Sequence, residues 1–166
     1  MAFMTFSATK ADDAFTTALP LARGAAEKYS KNQAAKIEKK VEPLSKALSK
    51  GESLASAGKT AEAQQVVSDA LNAGVAAGLA TEGAINNLGY DYLDRGKTEM
   101  ALAVFGFNVN QFPQSSNVYD SMGEALMKAG RIDESIRNYK KAVELDPGNE
   151  NAKALIEKME KENGKQ

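Results

Sequence analysis

The sequence has neither cysteine nor histidine among its 166 residues. Without cysteine there is no disulfide framework, no thiolate zinc site and no thiol nucleophile. Without histidine, the chain lacks the commonest general base near neutral pH and the commonest imidazole metal ligand. These two absences remove most hydrolase and metalloenzyme designs. The sequence therefore predicts a protein that is not an enzyme and that holds no metal or cofactor.

A charge excess and long apolar runs are missing as well. The 21 basic and 22 acidic residues nearly cancel, so no global field attracts nucleic acid or an anionic membrane, and neither is expected as a partner. No apolar stretch reaches membrane-spanning length, and the start MAFMTFSATK lacks the basic region of a secretory signal. We expect a soluble chain whose compartment the sequence leaves open.

What the chain does contain is an internal repeat of 34 residues. The segment AINNLGYDYLDRGKTEMALAVFGFNVNQFP, from Ala84, aligns with VYDSMGEALMKAGRIDESIRNYKKAVELDP, from Val118. Repetition at one fixed spacing indicates one supersecondary unit used more than once. Five residue pairs share the offset, namely Gly89 with Gly123, Gly96 with Gly130, Ala101 with Ser135, Phe105 with Tyr139, and Pro113 with Pro147.

Each unit reads as two helices joined by a glycine turn. Apolar residues at helical spacing predict a first helix over about 82–95 and a second over about 98–111, and the same pattern follows 34 residues later. A glycine inside a helix costs about 1 kcal/mol relative to alanine, so Gly89 and Gly123 need a reason. We predict that they leave room for the rings of Phe105 and Tyr139 where the two helices cross.

This pattern of glycine, alanine, aromatic residue and proline resembles the tetratricopeptide repeat over residues 82–147. The resemblance implies an all-α fold, a right-handed superhelix of helical hairpins, in which residues 148–166 form a C-terminal capping helix and a polar tail. Asn149 is expected to be the N-cap of that helix. One departure is Asn108, which stands where the second unit has Ala142 and predicts imperfect packing there.

The N-terminal part is less regular. The segment SAGKTAEAQQVVSDAL from Ser56 echoes the repeat at an offset of 38, so we interpret residues 41–81 as a diverged repeat and a connector. Residues 1–40 are helix-prone, with Pro20 and Pro43 as expected helix starts. They form either a packed helical hairpin or an extension that needs a partner.

Catalytic motifs are weak. Ser7 and Lys10 have the spacing of the S-x-x-K motif of serine β-lactamases, but no companion K-T-G or S-D-N follows, so we interpret the match as coincidence. Adjacent carboxylates such as Asp133 and Glu134 fall at predicted helix starts, where they complement the helix dipole.

In tetratricopeptide proteins the first helices of the units line a concave groove. The resemblance therefore implies a peptide-binding groove whose residues offer amides, an aromatic anchor and two carboxylates. The alternative is ordinary solvated helix surface. The matching positions are Asn86, Tyr90, Leu93, Asn117, Asp120, Glu124, Met127 and Asn151.

Some members of the family clamp a chaperone carboxylate with lysine, asparagine and arginine. The matching positions here are Asn86, Tyr90, Ser121, Asn151 and Leu155, so a ligand of neutral or basic character is expected.

Two functions remain open. The first is a non-catalytic module that binds a protein or peptide segment in the groove. The alternative is an accessory or assembly domain of a larger enzyme that associates as a homodimer, because the stretches NNLGY and NVYDSMGEA are also similar to the C-terminal repeat tails of bacterial serine hydrolases and esterases.

Overall fold

A computed structural model describes the backbone of residues 31–163 and the side chains of residues 38–163. This part of the chain is entirely helical and confirms the all-α class, a superhelix of helical hairpins. Its helices are α1 (Lys31–Ser56), α2 (Thr60–Ala76), α3 (Glu82–Asp94), α4 (Thr98–Gln111), α5 (Ser116–Lys128), α6 (Ile132–Leu145) and α7 (Glu150–Asn163).

The two regular units follow the predicted boundaries closely. Each turn between paired helices contains a glycine with positive φ, Gly96 at 69° and Gly130 at 73°, a conformation that favours glycine because it has no Cβ. At the start of α7, Asn149 Oδ1 accepts a hydrogen bond from the Ala152 amide at 2.9 Å. The predicted N-cap of the capping helix is therefore confirmed.

Gly89 and Gly123 lie where the rings pack, as predicted. A Cβ on Gly89 would lie 2.5–2.8 Å from three carbon atoms of the Phe105 ring, closer than such atoms approach. A Cβ on Gly123 would lie 3.0–3.1 Å from three ring carbon atoms of Tyr139. Both glycines therefore allow close contact between the two helices of their unit, and the contact at Gly89 is the tighter one.

Asn108 lies fully buried in α4 and bonds to Glu82 at the start of α3. Glu82 in turn contacts the start of α5, so that three helices are joined. Asn108 Nδ2 donates to the Glu82 carbonyl oxygen at 3.2 Å, whereas the side-chain oxygen of Asn108 has no hydrogen-bond partner. The Glu82 carboxylate in turn accepts from Ser115 Oγ at 2.8 Å and from Asn117 Nδ2 at 3.2 Å. The start of α3 is thus bonded to the end of α4 and to the start of α5.

The N-terminal hairpin departs from the prediction. Pro43 lies inside α1, so its assignment as a helix start is wrong, and the predicted boundary between residues 40 and 41 falls within the same helix. Pro43 is exposed, so the backbone hydrogen bond that a proline cannot donate is lost at the surface of the helix and not in its buried interior.

This first hairpin packs mainly against α4, through both α1 and α2, whereas in the regular units α5 packs against α4 and α3. Ion pairs join it to the turn between α3 and α4, where Glu52 contacts Lys97 and lies 3.8 Å from Arg95. The first hairpin is therefore docked on the outside of the first regular unit.

Some predictions fall outside the described residues. These are the S-x-x-K motif at Ser7, the helix start at Pro20 and the choice between a hairpin and an extension for most of residues 1–40. Asp133 and Glu134 do lie in the first turn of α6, and Glu134 pairs with Arg131 at 2.6 Å, consistent with a structural role.

Candidate functional site

The predicted groove is centred on Tyr90, which links two repeats. Its hydroxyl donates to Glu124 Oε2 at 3.0 Å and shares a second hydrogen bond with the Ser121 hydroxyl at 3.2 Å. The Tyr90 ring packs at 75° to the ring of Phe105, with centroids 5.2 Å apart. Tyr90 and Glu124 are 34 residues apart, so equivalent positions of consecutive units meet here. The ring is half-buried and held at both ends.

Two carboxylates surround this tyrosine. Burial raises the pKa of Tyr90, and the negative charge of Glu124 adds to the effect. Burial likewise raises the pKa of Tyr139, followed in size by the charges of Asp120 and Glu124. Both carboxylates therefore place negative charge near the two tyrosine hydroxyls. Lys128 partly offsets it through an ion pair with Glu124 at 3.0 Å.

The other predicted polar positions contact the helices beside them. Asp120 Oδ1 accepts a hydrogen bond from Asn149 Nδ2 at 2.8 Å, and Asn117 bonds to Glu82. Asn151 is exposed on the first turn of α7. Met127 is half-buried against the small C-terminal core. These hydrogen bonds orient the side chains of α5 while leaving the residues partly open to solvent.

Two predicted groove residues are buried. Leu93 is 8% exposed and belongs to the main hydrophobic core, which leaves little of its side chain available to a ligand. Asn86 is 9% exposed, and its Oδ1 has no hydrogen-bond partner. The packing of α5 against α3, a long-range contact, reduces the exposed area of this face.

The sequence analysis missed three contributors. Glu82 holds Asn117, Asn149 holds Asp120, and the ring of Tyr139 lies buried within reach of the charges of Asp120 and Glu124. The sequence predicts other roles for two of them, a helix cap for Asn149 and a ring packed on Gly123 for Tyr139. Tyr90 and Glu124 lie 34 residues apart, at equivalent positions of consecutive units, so the repeat spacing in the sequence could have identified this pair.

Cavities elsewhere in the described chain include four with volumes of about 240–420 Å³. One of about 290 Å³ lies beside Glu52, Lys97 and Met100, and another of about 250 Å³ lies between α2 and α4 beside Gly106 and Arg131. Within residues 38–163 no group of three or more acidic side chains could hold a metal ion. Among the described helices, none combines the length and the apolar character needed to cross a bilayer.

Comparisons with known proteins agree with this architecture. The family model for the tetratricopeptide repeat matches residues 116–149, which contain α5 and α6. A point mutant of MamA superimposes with a TM-score of 0.61 at 23% identity, over 73% of this chain and 85% of that one. No curated protein matches the sequence significantly.

Two further solved structures share the fold. A crystal structure of MamA has a TM-score of 0.55 at 17% identity, over 96% of this chain and 87% of that one. The first tetratricopeptide domain of Spaghetti, bound to the HSP90 peptide SRMEEVD, has a TM-score of 0.50 at 19% identity, over 74% and 94%.

The class defined by the fold and these matches is thus the all-α helical-repeat superhelix of tetratricopeptide type. Residues 116–149 match the repeat itself. The similarity to serine hydrolase tails has no counterpart among these matches and stays a prediction.

Proposed function

We propose that the chain is a non-catalytic interaction module that binds an extended peptide segment along α3, α5 and the start of α7. The observation that carries this proposal is the half-exposed ring of Tyr90, fixed by Phe105 on one helix and by Ser121 and Glu124 on another. A rigid aromatic side chain in a polar surrounding is a typical anchor of a protein interface, because it contributes area at little entropic cost.

Asparagines on the two groove helices that follow Tyr90 fit an extended ligand. Asn117 and Asn151 are exposed and occupy equivalent positions of consecutive units. Their amides both donate and accept hydrogen bonds, as a peptide backbone requires. The Spaghetti domain is bound to a peptide and is similar in fold, which supports this mode of binding. The ligand here differs in chemistry, because Asn86, Tyr90, Ser121, Asn151 and Leu155 replace the basic clamp of the family.

Selection of peptides on the full-length chain tests the proposal. Random twelve-residue peptides displayed on phage are selected, resynthesised and measured by calorimetry. We expect Tyr90→Ala to lower the affinity for the recovered peptides by about tenfold, which corresponds to about 1.4 kcal/mol of binding free energy. Arg137→Ala is the matched control, because Arg137 is exposed on α6, away from the groove. Circular dichroism verifies that both variants fold.

Two results would contradict peptide binding at this site. One is a set of peptides whose affinity is unchanged by Tyr90→Ala and Asn117→Ala. The other is a concentration-dependent dimer in sedimentation that Tyr90→Ala dissociates, which would favour the assembly alternative and show that a second copy covers the groove.

A further inference from the structure

We infer that the middle of this groove selects a segment that presents a lysine or arginine side chain next to Tyr90. The inference rests on the proposed function, because it specifies the ligand of the same groove. Asp120 and Glu124 lie four residues apart on α5, so their side chains share one face of the helix. None of the groove positions on α3 and α5 assigned from the sequence is basic.

Both carboxylates are held in place but keep capacity for a further donor. Asp120 accepts from Asn149 through one of its oxygens, and Glu124 accepts from Tyr90 through Oε2. A carboxylate has about four acceptor positions, so these bonds orient the groups without saturating them. Lys128 is exposed and contacts the partly buried Glu124 four residues before it, and such pairs at the surface add little stability.

The aromatic ring favours the same ligand. Tyr90 is half-exposed and its hydroxyl is bonded to Glu124, so a cation near this carboxylate also lies near the ring. The negative face of an aromatic ring attracts ammonium and guanidinium groups, arginine most often. Burial is the main cause of the raised pKa values of Tyr90 and Tyr139, and the negative charges of Asp120 and Glu124 add to it.

A second, independent observation is a missing donor. Asn86 precedes Tyr90 by one helical turn on α3, is nine-tenths buried, and has a side-chain oxygen without a partner. Rotation of the terminal amide by half a turn exchanges the positions of its oxygen and its NH₂ group, so the unpaired position can hold either an acceptor or a donor. Lysine and arginine side chains bring only donors, which match the free acceptor positions of the Asp120 and Glu124 carboxylates.

Four immobilised libraries of seven-residue peptides test this selection. The central residue is lysine, arginine, glutamine or glutamate, and the other positions are randomised over uncharged residues. We expect the full-length chain to be retained about tenfold more by the lysine and arginine libraries than by the glutamate library. Added salt should narrow this difference, because it screens partly exposed charges.

Isosteric variants assign the effect to the two carboxylates. The double variant with Asp120→Asn and Glu124→Gln should lose the preference, and Glu124→Lys should reverse it. The matched control is Glu144→Gln, an exposed glutamate of α6 that also takes part in an ion pair, with Lys141. Circular dichroism confirms the fold of each variant.

The outcomes separate the two proposals. If no library retains the wild-type chain above the level of Tyr90→Ala, the proposed function fails. If retention depends on Tyr90 but the glutamate library performs as well as the lysine library, the function stands and the charge selection is wrong. Equal preference in the wild type and in the double variant would also overturn the selection.

Discussion

The two regular units share one 34-residue pattern but differ on the outside of their second helix. On α4 this face carries no charged residue, whereas on α6 it is charged throughout. The first hairpin packs on α4, while α6 packs against α5 and α7 and exposes its remaining face to water. The equivalent residues are Ala103, Gly106, Phe107 and Asn110 on α4, and Arg137, Lys140, Lys141 and Glu144 on α6.

The comparison shows that position in the array, and not only the repeat, determines composition. A helix packed on several sides is apolar around most of its circumference, and a surface helix is amphipathic. The second unit has the amphipathic pattern, and it is the one that the family model matches. The first unit keeps the glycine and the aromatic residue but replaces the polar face, because another hairpin covers it.

Truncation of a covered residue of α4 should have the largest effect on stability, and truncation of the equivalent exposed residue of α6 should have little. Phe107 is 6% exposed, so Phe107→Ala should lower the free energy of unfolding by about 3–5 kcal/mol through lost burial and a cavity. The equivalent change Lys141→Ala should alter it by less than about 0.5 kcal/mol. Urea unfolding followed by circular dichroism measures both. Similar losses at the two positions would show that the first hairpin does not cover α4.

The two helix-crossing glycines should differ to a smaller extent. Gly89→Ala forces the buried Phe105 ring to move, at a cost of about 1–3 kcal/mol that exceeds the gain in helix propensity. A new Cβ at Gly123 has slightly more room, so for Gly123→Ala the steric cost and the gain in helix propensity should cancel to within about 1 kcal/mol. A double variant with Phe105→Leu should recover part of the loss at Gly89. Equal changes in the free energy of unfolding for Gly89→Ala and Gly123→Ala, measured in urea, would show that the two helix crossings are equally tight.

Each unit also buries one tyrosine at a place where the other unit has a hydrocarbon side chain. Tyr92 of α3 corresponds to Leu126, and Tyr139 of α6 to Phe105. The Tyr92 hydroxyl is buried near Glu52 without a hydrogen bond of normal geometry. Burial raises the pKa of both tyrosines, and nearby carboxylates add to it.

This difference predicts how stability depends on alkaline pH. Above about pH 10 the tyrosines of the unfolded chain ionise while the buried ones stay neutral. The unfolding free energy should therefore fall as pH rises, by up to about 1.4 kcal/mol per pH unit for each tyrosine. Tyr92→Phe and Tyr139→Phe should each make the decline shallower in denaturant titrations between pH 9 and 11. An unchanged slope in either variant would contradict the raised pKa.

The local features of residues 82–147 could be predicted from the sequence. Helix ends depend on short-range signals, and Gly96 and Gly130 marked them within a residue or two. The contact between Gly89 and Phe105 was also predictable, because a glycine that breaks an apolar stripe needs a bulky neighbour. In both cases the cause lies within a single hairpin.

Features that depend on long-range packing could not be predicted. The burial of Leu93 depends on how closely α5 approaches α3, and the apolar face of α4 depends on where the first hairpin docks. Pro43 was wrongly taken as a helix start because proline usually begins or breaks helices. An exposed side of a long helix tolerates it, and only the fold shows which side is exposed.

The Glu82 contacts have a consequence for the order of local unfolding. In many repeat arrays single units open nearly independently, because each touches only its neighbours. Here one residue ties together the first turn of α3, the last turn of α4 and the first turn of α5. These three helix ends should behave as a single foldon, so their amides should exchange with deuterium at a common opening rate.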